Sequence, residues 1–348
     1  MEPMQLRRIH PHRRLLIPAL LVAACAALVS EGVLPNLGPG HAREVHRAAA
    51  VARVDGPPAP PAAPPAPPRP ILTIASLRTF HPSGSGTILA IGPAQHEHGY
   101  SVQRIAYHSQ GLQVTGTLLI PSGKGRHRLV ISLHGFSTPQ TYSDGADAMP
   151  LAIPLAEHGV LVGIPDYRGL GGSAPDPRTE PLPIADAIDS LTLLDLLLED
   201  PRVDPNHVGL IAHSLGGNVA EAMLAAHRGI RAAVLYAPSE SQYTVLYKRR
   251  PGYFRGRPDV GPPATDPALY TAMSPGANFG TLHCGILLEQ GTADPVVPWH
   301  ASVVAAHELT ASGATVQLRL IPGAGHDLDR PDWTVPLEDG TTFLLKNV

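Results

Sequence analysis

Cysteine is nearly absent from this 348-residue chain, which has only Cys25 and Cys284. That scarcity excludes a disulfide framework, and with no CxxC pair it also excludes the usual thiolate zinc spacings. An HExxH helix is missing as well, so the commonest zinc-hydrolase signature is not available. Of the 18 histidines, the triplet His96-Glu97-His98 is the best metal candidate, and adjacent loop residues seldom converge on one ion without a third ligand. No metal and no cofactor is therefore expected. Net charge is only -3, without a basic field, which argues against a nucleic-acid partner. Apolar runs are short: the longest, Leu15 to Val29, falls below the roughly 20 residues that a spanning helix needs.

That short run is informative in context. Arg7, Arg8, Arg13 and Arg14 precede it and Ser30-Glu31-Gly32 follows, the pattern of a secretory signal. Residues 1–32 thus read as a signal peptide or membrane anchor. Val22-Ala23-Ala24-Cys25 resembles a bacterial lipoprotein box, while ordinary cleavage near Ala24-Cys25-Ala26 and an uncleaved signal anchor are the alternatives. Export to the cell surface, periplasm or medium is the expectation. Residues 33–70 form an Ala/Pro-rich linker, with nine prolines among the fourteen residues from Pro57 to Pro70. Proline fixes φ and removes a donor, so this stretch reads either as a stiff polyproline II spacer of about 3.1 Å per residue or as an unstructured linker.

A globular domain is expected over 71–348. Val102–Tyr107 and Gln113–Ile120 alternate apolar and polar residues around Ser109-Gln110-Gly111, which predicts an antiparallel pair. Short β-rich runs then alternate with helical patterns. Leu129–Leu133, Val160–Ile164, Val208–Ile211, Ala232–Tyr236, Gly285–Glu289 and Val316–Ile321 read as strands. Leu151–Glu157, the spaced apolar residues from Ile184 to Leu198, a segment from Leu215 and one near Ser302–Thr310 read as helices. Such alternation predicts an α/β fold, a mostly parallel twisted sheet with helices on both faces. Between about 238 and 282 the periodicity vanishes, and this Pro-, Gly-, Tyr- and Arg-rich stretch reads as a cap insertion.

Chemistry concentrates at Val208-Gly209-Leu210-Ile211-Ala212-His213-Ser214-Leu215-Gly216-Gly217. An apolar strand ends at a serine among small residues and a helix follows, the form of a tight elbow that exposes a nucleophilic hydroxyl. A serine needs a base and an orienting carboxylate. The chain supplies them in the order Ser214, Asp294, His326. Imidazole suits the general-base role because its ordinary pKa lies near neutrality. Each residue also has a plainer reading: Ser214 as a helix N-cap, Asp294 before Pro295 as a turn, His326 as a loop histidine. Asp327 is the poorer carboxylate, since adjacent side chains in an extended loop diverge.

Five fragments together carry a family resemblance: Leu133-His134-Gly135-Phe136, the segment Asp166-Tyr167-Arg168-Gly169-Leu170-Gly171-Gly172-Ser173, the elbow, Gln290-Gly291-Thr292-Ala293-Asp294-Pro295-Val296-Val297-Pro298, and Gly323-Ala324-Gly325-His326. From about Tyr100 to Phe343 the chain resembles an α/β-hydrolase, nearest the branch shared by dienelactone-hydrolase-like esterases and prolyl-oligopeptidase-like peptidases. It departs from Gly-x-Ser-x-Gly in having Ala212 at the first glycine. The resemblance implies an oxyanion hole from the backbone N–H groups of Leu215 and Phe136. His134 reads as a packing or structurally hydrogen-bonded residue, and Asp166 and Arg168 read as a structural turn at a strand end or as a border of the site. A basic, aromatic run (Tyr243, Tyr247, Lys248, Arg249, Arg250, Tyr253, Phe254, Arg255, Arg257) is either a substrate- or lipid-selecting surface or a solvated face.

The expected activity is cleavage of carboxylic esters through an acyl-enzyme, acting on a small-molecule ester or peptide substrate. Alternatives are a prolyl-oligopeptidase-like serine peptidase, an acyltransferase, and a non-catalytic tethered binding protein. Against the peptidase, the roughly 30–60 residues ahead of the catalytic strands fall short of a β-propeller, whose blades need about 40 residues each.

Overall fold

The computed structural model describes residues 73–79, 86–176, 183–227, 229–254, 260–328 and 334–348. The expected signal segment and linker, and the cap residues Arg255 and Arg257, lie outside these. In the described residues one sheet runs through the molecule. Its strands are β1 (Leu89–His96), β2 (Tyr100–Ser109), β3 (Leu112–Pro121), β4 (His127–Leu133), β5 (Leu161–Pro165), β6 (Val203–His213), β7 (Ala232–Tyr236), β8 (Gly285–Gly291) and β9 (Thr315–Ile321). They lie in the order β1-β2-β3-β5-β4-β6-β7-β8-β9. β1, β2, β3 and β5 pair antiparallel, and from β5 to β9 every pairing is parallel.

The β2–β3 hairpin closes on Gln110-Gly111, both with positive φ (49° and 78°), and Ser109 pairs with Leu112. Two left-handed residues give the turn whose twist matches its strands, which is why a glycine sits there. β5 and β7 are buried at every position, as strands covered on both faces must be, whereas β9 carries Thr315, Gln317 and Arg319 and is half-exposed.

Helices α1 (Ile74–Thr79), α2 (Ala148–Glu157), α3 (Pro183–Leu198), α4 (Leu215–Ala226), α5 (Tyr243–Arg249), α6 (Pro267–Met273), α7 (Trp299–Ala311) and α8 (Thr334–Asn347) complete the fold. One core gathers α3, α4 and the cap against the sheet through Ile188, Leu193, Val219, Met223, Leu235 and Leu288. A second gathers α2 and α8 through Leu151, Leu155, Val162, Ile211, Val234 and Leu344. The expected two-faced α/β architecture is therefore present.

Two elements carry no clear period in the sequence. β1 is an edge strand with Pro93 in it and a register shift between Ile91 and Gln95, exposed along almost its whole length. A strand with no buried face needs no alternation. The cap is not without secondary structure: it holds α5, α6 and 3₁₀ turns at Pro251–Phe254 and Pro275–Ala277. Seven-residue helices are too short to show a period. Their aromatics pack on one another, with Phe254 stacked on Tyr270 and Tyr247 edge-on to Tyr270.

Buried polar residues lock the β5 end. Asp166 accepts hydrogen bonds from Arg104, Thr115 and Tyr142. The Arg168 guanidinium donates to both oxygens of Asp189 at 2.9 and 2.7 Å, and both side chains are essentially inaccessible. Of the two readings the sequence left for Asp166 and Arg168, the contacts favour the structural one, and neither residue lines the cleft beside Ser214. Arg168 also pairs with the buried Asp176 at 3.3 Å, so removing Asp189 leaves the guanidinium only partly compensated in the interior. Asp189→Ala should destabilise the fold by about 3–5 kcal/mol in denaturant unfolding; a loss under ~1 kcal/mol would show that water reaches the guanidinium.

Candidate active site

The elbow forms where β6 runs into α4. Ser214 occupies the single residue between them and adopts φ 55°, ψ -118°, a conformation that side chains other than glycine rarely take. Its hydroxyl does not cap α4. It points instead to the ring of His326, with Oγ 2.8 Å from Nε2. The glycines that follow explain the tightness. A Cβ on Gly216 would stand 2.7 Å from the His134 carbonyl oxygen and closer still to that of Leu133, and one on Gly217 would stand 2.5 Å from Pro238 Cβ. Ala212, in place of the usual first glycine, is fully buried in β6 and is accommodated there.

On its other side His326 Nδ1 lies 2.8 Å from Asp294 Oδ2. The Asp294 side chain is buried and richly served. Its Oδ1 accepts from the Val296 and Val297 N–H groups at 2.7 and 2.9 Å, and its Oδ2 accepts from Gln290 at 2.8 Å. Burial pushes its pKa up, but the bonds to His326 and to these amides outweigh that and hold it below the ordinary carboxylate range. The Asp294-Pro295 turn and the orienting carboxylate are thus the same object. Asp327 is 61% exposed and pairs at 3.8 Å with His213, not with the His326 ring.

Ser214 and His326 face a cleft of about 380 Å³. Phe136 and Leu215 line it, and neither backbone N–H has an acceptor among the described residues. Gly135 makes the approach possible, since a Cβ there would sit 3.2 Å from Ser214 Cβ. The adjacent His134 is fully buried, 4.0 Å from the Tyr167 ring centre, and burial depresses its pKa so that it stays neutral. Of the basic, aromatic run in the cap, Arg250 and Tyr253 reach the cleft, with Tyr253 5.7 Å from the Phe136 ring. Tyr243 and Phe254 are cap core, and Arg249 pairs with Glu240.

Sequence reasoning did not single out His213 and Asp147, which also line the cleft. His213 Nδ1 hydrogen-bonds Asp147 Oδ2, whose Oδ1 accepts from the Gly135 N–H at 2.9 Å. His213 stood in the quoted elbow, but nothing local linked it to a carboxylate 66 residues upstream. Among the described residues no group of three His, Cys, Asp or Glu side chains is arranged to hold a metal ion.

The Prolyl oligopeptidase family profile matches residues 151–338, more than half of the chain. No curated protein matches in sequence. Among solved structures, acetyl xylan esterase 1 from Thermoanaerobacterium sp. JW/SL YS485 is similar, with a TM-score of 0.60 and 17% identity over 78% of this chain and 90% of that one. A Mycobacterium tuberculosis puromycin-hydrolyzing peptidase matches with a TM-score of 0.59 and 20% identity over 70% of this chain, but over only 39% of its own length. The acylaminoacyl peptidase of Pyrococcus horikoshii gives 0.56 and 17%, covering 71% and 41%. At these identities the likeness is one of fold.

Gly216→Ala tests how rigidly the elbow is held. Forcing a methyl against two carbonyl oxygens should cost about 1–3 kcal/mol, read as a lowered thermal midpoint; an unchanged midpoint would mean that the elbow yields freely.

Proposed function

The chain belongs to the prolyl oligopeptidase family and is a serine hydrolase, and on that premise we propose that it cleaves carboxylic esters through an acyl-enzyme. The observation that carries this reading is the unbroken relay from Ser214 Oγ through the His326 ring to the Asp294 carboxylate, both links at 2.8 Å. In the first half-reaction Ser214 Oγ attacks the ester carbonyl carbon while His326 Nε2 takes its proton. The Leu215 and Phe136 N–H groups receive the oxyanion, donors of a kind worth about 10²–10³ in rate each. His326 returns the proton to the leaving alcohol. A water then repeats the sequence on the acyl-serine and releases the acid. Asp294 keeps the imidazole oriented and balances the charge that it gains.

Two observations favour esters. Residues 89–121, ahead of β4, form β1, β2 and β3 of the catalytic sheet itself. The acetyl xylan esterase matches over 90% of its own length, whereas the two peptidases match over less than half of theirs. The family match keeps peptide hydrolysis as a second reading, and transfer of the acyl group to an acceptor other than water would use the same intermediate. Export, proposed from the basic and apolar pattern of residues 7–29, would place the reaction outside the cytoplasm.

Ser214→Ala should lower turnover of a short p-nitrophenyl ester by about 10⁴-fold or more with the fold intact; turnover near wild type would end the proposal. Wild-type enzyme should hydrolyse such esters faster than aminoacyl-proline anilides, and the reverse order would favour the peptidase.

A further inference from the structure

We propose that His213 and Asp147 act as a positioning pair that ties the Gly135–Phe136 turn to the loop carrying His326, beneath the Ser214 hydroxyl. The proposal rests on the Ser214 reading above and adds to it two residues that the relay does not use.

The geometry is a chain of three bonds joining segments remote in sequence. Asp147 stands at the N-terminal boundary of α2, where an aspartate ordinarily caps, yet its side chain makes no capping bond. It turns toward the cleft instead. Oδ1 accepts from the Gly135 N–H, and Oδ2 holds His213 Nδ1. His213 Nε2 lies 3.2 Å from the backbone carbonyl oxygen of His326, and the two imidazole rings are 4.9 Å apart. Gly135 precedes the amide that would receive the oxyanion: the Asp147 bond anchors the peptide on its N-terminal side, and His134 Nδ1, 2.8 Å from the Gly135 carbonyl oxygen, holds the following peptide that carries the Phe136 N–H. The carbonyl of His326 belongs to the residue whose ring must meet Ser214. One pair therefore sets the spacing of both halves of the site, with the elbow between them.

The state of His213 decides whether the chain is complete. With both ring nitrogens protonated, it donates to Asp147 and to the His326 carbonyl together. When neutral, with its proton kept on the Asp147 side, it presents a lone pair to that carbonyl oxygen and the second bond is lost. Burial disfavours the charged ring, but the hydrogen bond and charge of Asp147 outweigh it, helped by the His326 carbonyl and by Asp327 at 3.8 Å, and the His213 pKa is raised. Asp147 is raised by burial but held lower overall by His213, with His134 and the Gly135 N–H contributing. Among the described residues Arg250 of the cap also lines the cleft, and its positive charge opposes protonation of His213. While His213 is protonated, the His326 ring faces a pair with no net charge. Because the folded-state pKa is raised, the tie is complete at low pH and is lost as pH rises through that raised value.

The test is the pH dependence of kcat and KM on a neutral ester for wild type, H213N and D147N. Asparagine at 213 keeps an N–H toward Asp147 but has no donor for the His326 carbonyl and no titration. Loss of one charge-assisted bond corresponds to roughly a 10- to 100-fold fall in kcat, with KM little changed. Wild type should show a descending limb above the ordinary histidine value of about 6.5. H213N should lack that limb and run at the lower level throughout. In D147N, where His213 loses its carboxylate, the limb should move to lower pH. If H213N does not fold, the D147N shift and the wild-type limb decide alone. Wild-type kcat and an unchanged limb in H213N, or an unmoved limb in D147N, overturn the pair while leaving the nucleophile standing. Full activity in Ser214→Ala would instead remove the reading on which the pair rests.

Discussion

The backbone at Ser214 is the constraint on which the rest of the site depends. At φ 55° and ψ -118° it occupies a region costing on the order of 1–3 kcal/mol for a residue with a side chain. The surrounding structure holds it there. Its N–H donates to the Tyr236 carbonyl at the end of β7, and its own carbonyl accepts from Gly217 and Ser239, each at 2.9 Å. The absence of side chains at 216 and 217 lets α4 start against the carbonyls after β4 and against Pro238. A relaxed serine at this point would cap the helix; the strained one presents its hydroxyl to His326.

Two loops at the carboxyl ends of neighbouring parallel strands meet that hydroxyl. The loop after β8 carries Asp294 and the loop after β9 carries His326, and backbone bonds stitch them together. Thr292 N–H donates to Ile321 at 3.0 Å, Ala293 N–H to Ala324 at 3.0 Å, and Gly323 N–H to the Thr292 hydroxyl at 2.9 Å. Gly291 is required at the junction, because a side chain there would run into the carbonyls of Ala324 and Gly325. The cap joins from above, where Arg249 and Arg250 both donate to the Val296 carbonyl at 3.0 Å, two residues past Asp294. Residues separated by 112 positions thus reach hydrogen-bond distance through sheet order, not through local sequence.

Much of the fold was legible in the residues because buried parallel strands are continuous apolar runs and the β2–β3 hairpin carries its turn glycine. β1 was not legible, since an exposed edge strand containing proline has no reason to alternate. The short cap helices were hidden for want of length. At the site, Ser214, Asp294 and His326 stood out because each lies in a small-residue turn at a strand end, and the structure brings the three together. Asp147 did not stand out. It sits at a helix boundary where aspartate is ordinary, and its partner is met only across the sheet.

The most direct test of the central claim is covalent labelling with a fluorophosphonate followed by peptide mapping, in wild type and in His326→Ala. A hydroxyl activated by its imidazole predicts one modified residue, Ser214, with labelling lost when the ring is removed. A label on another serine, or one on Ser214 that persists unchanged without His326, would contradict the account.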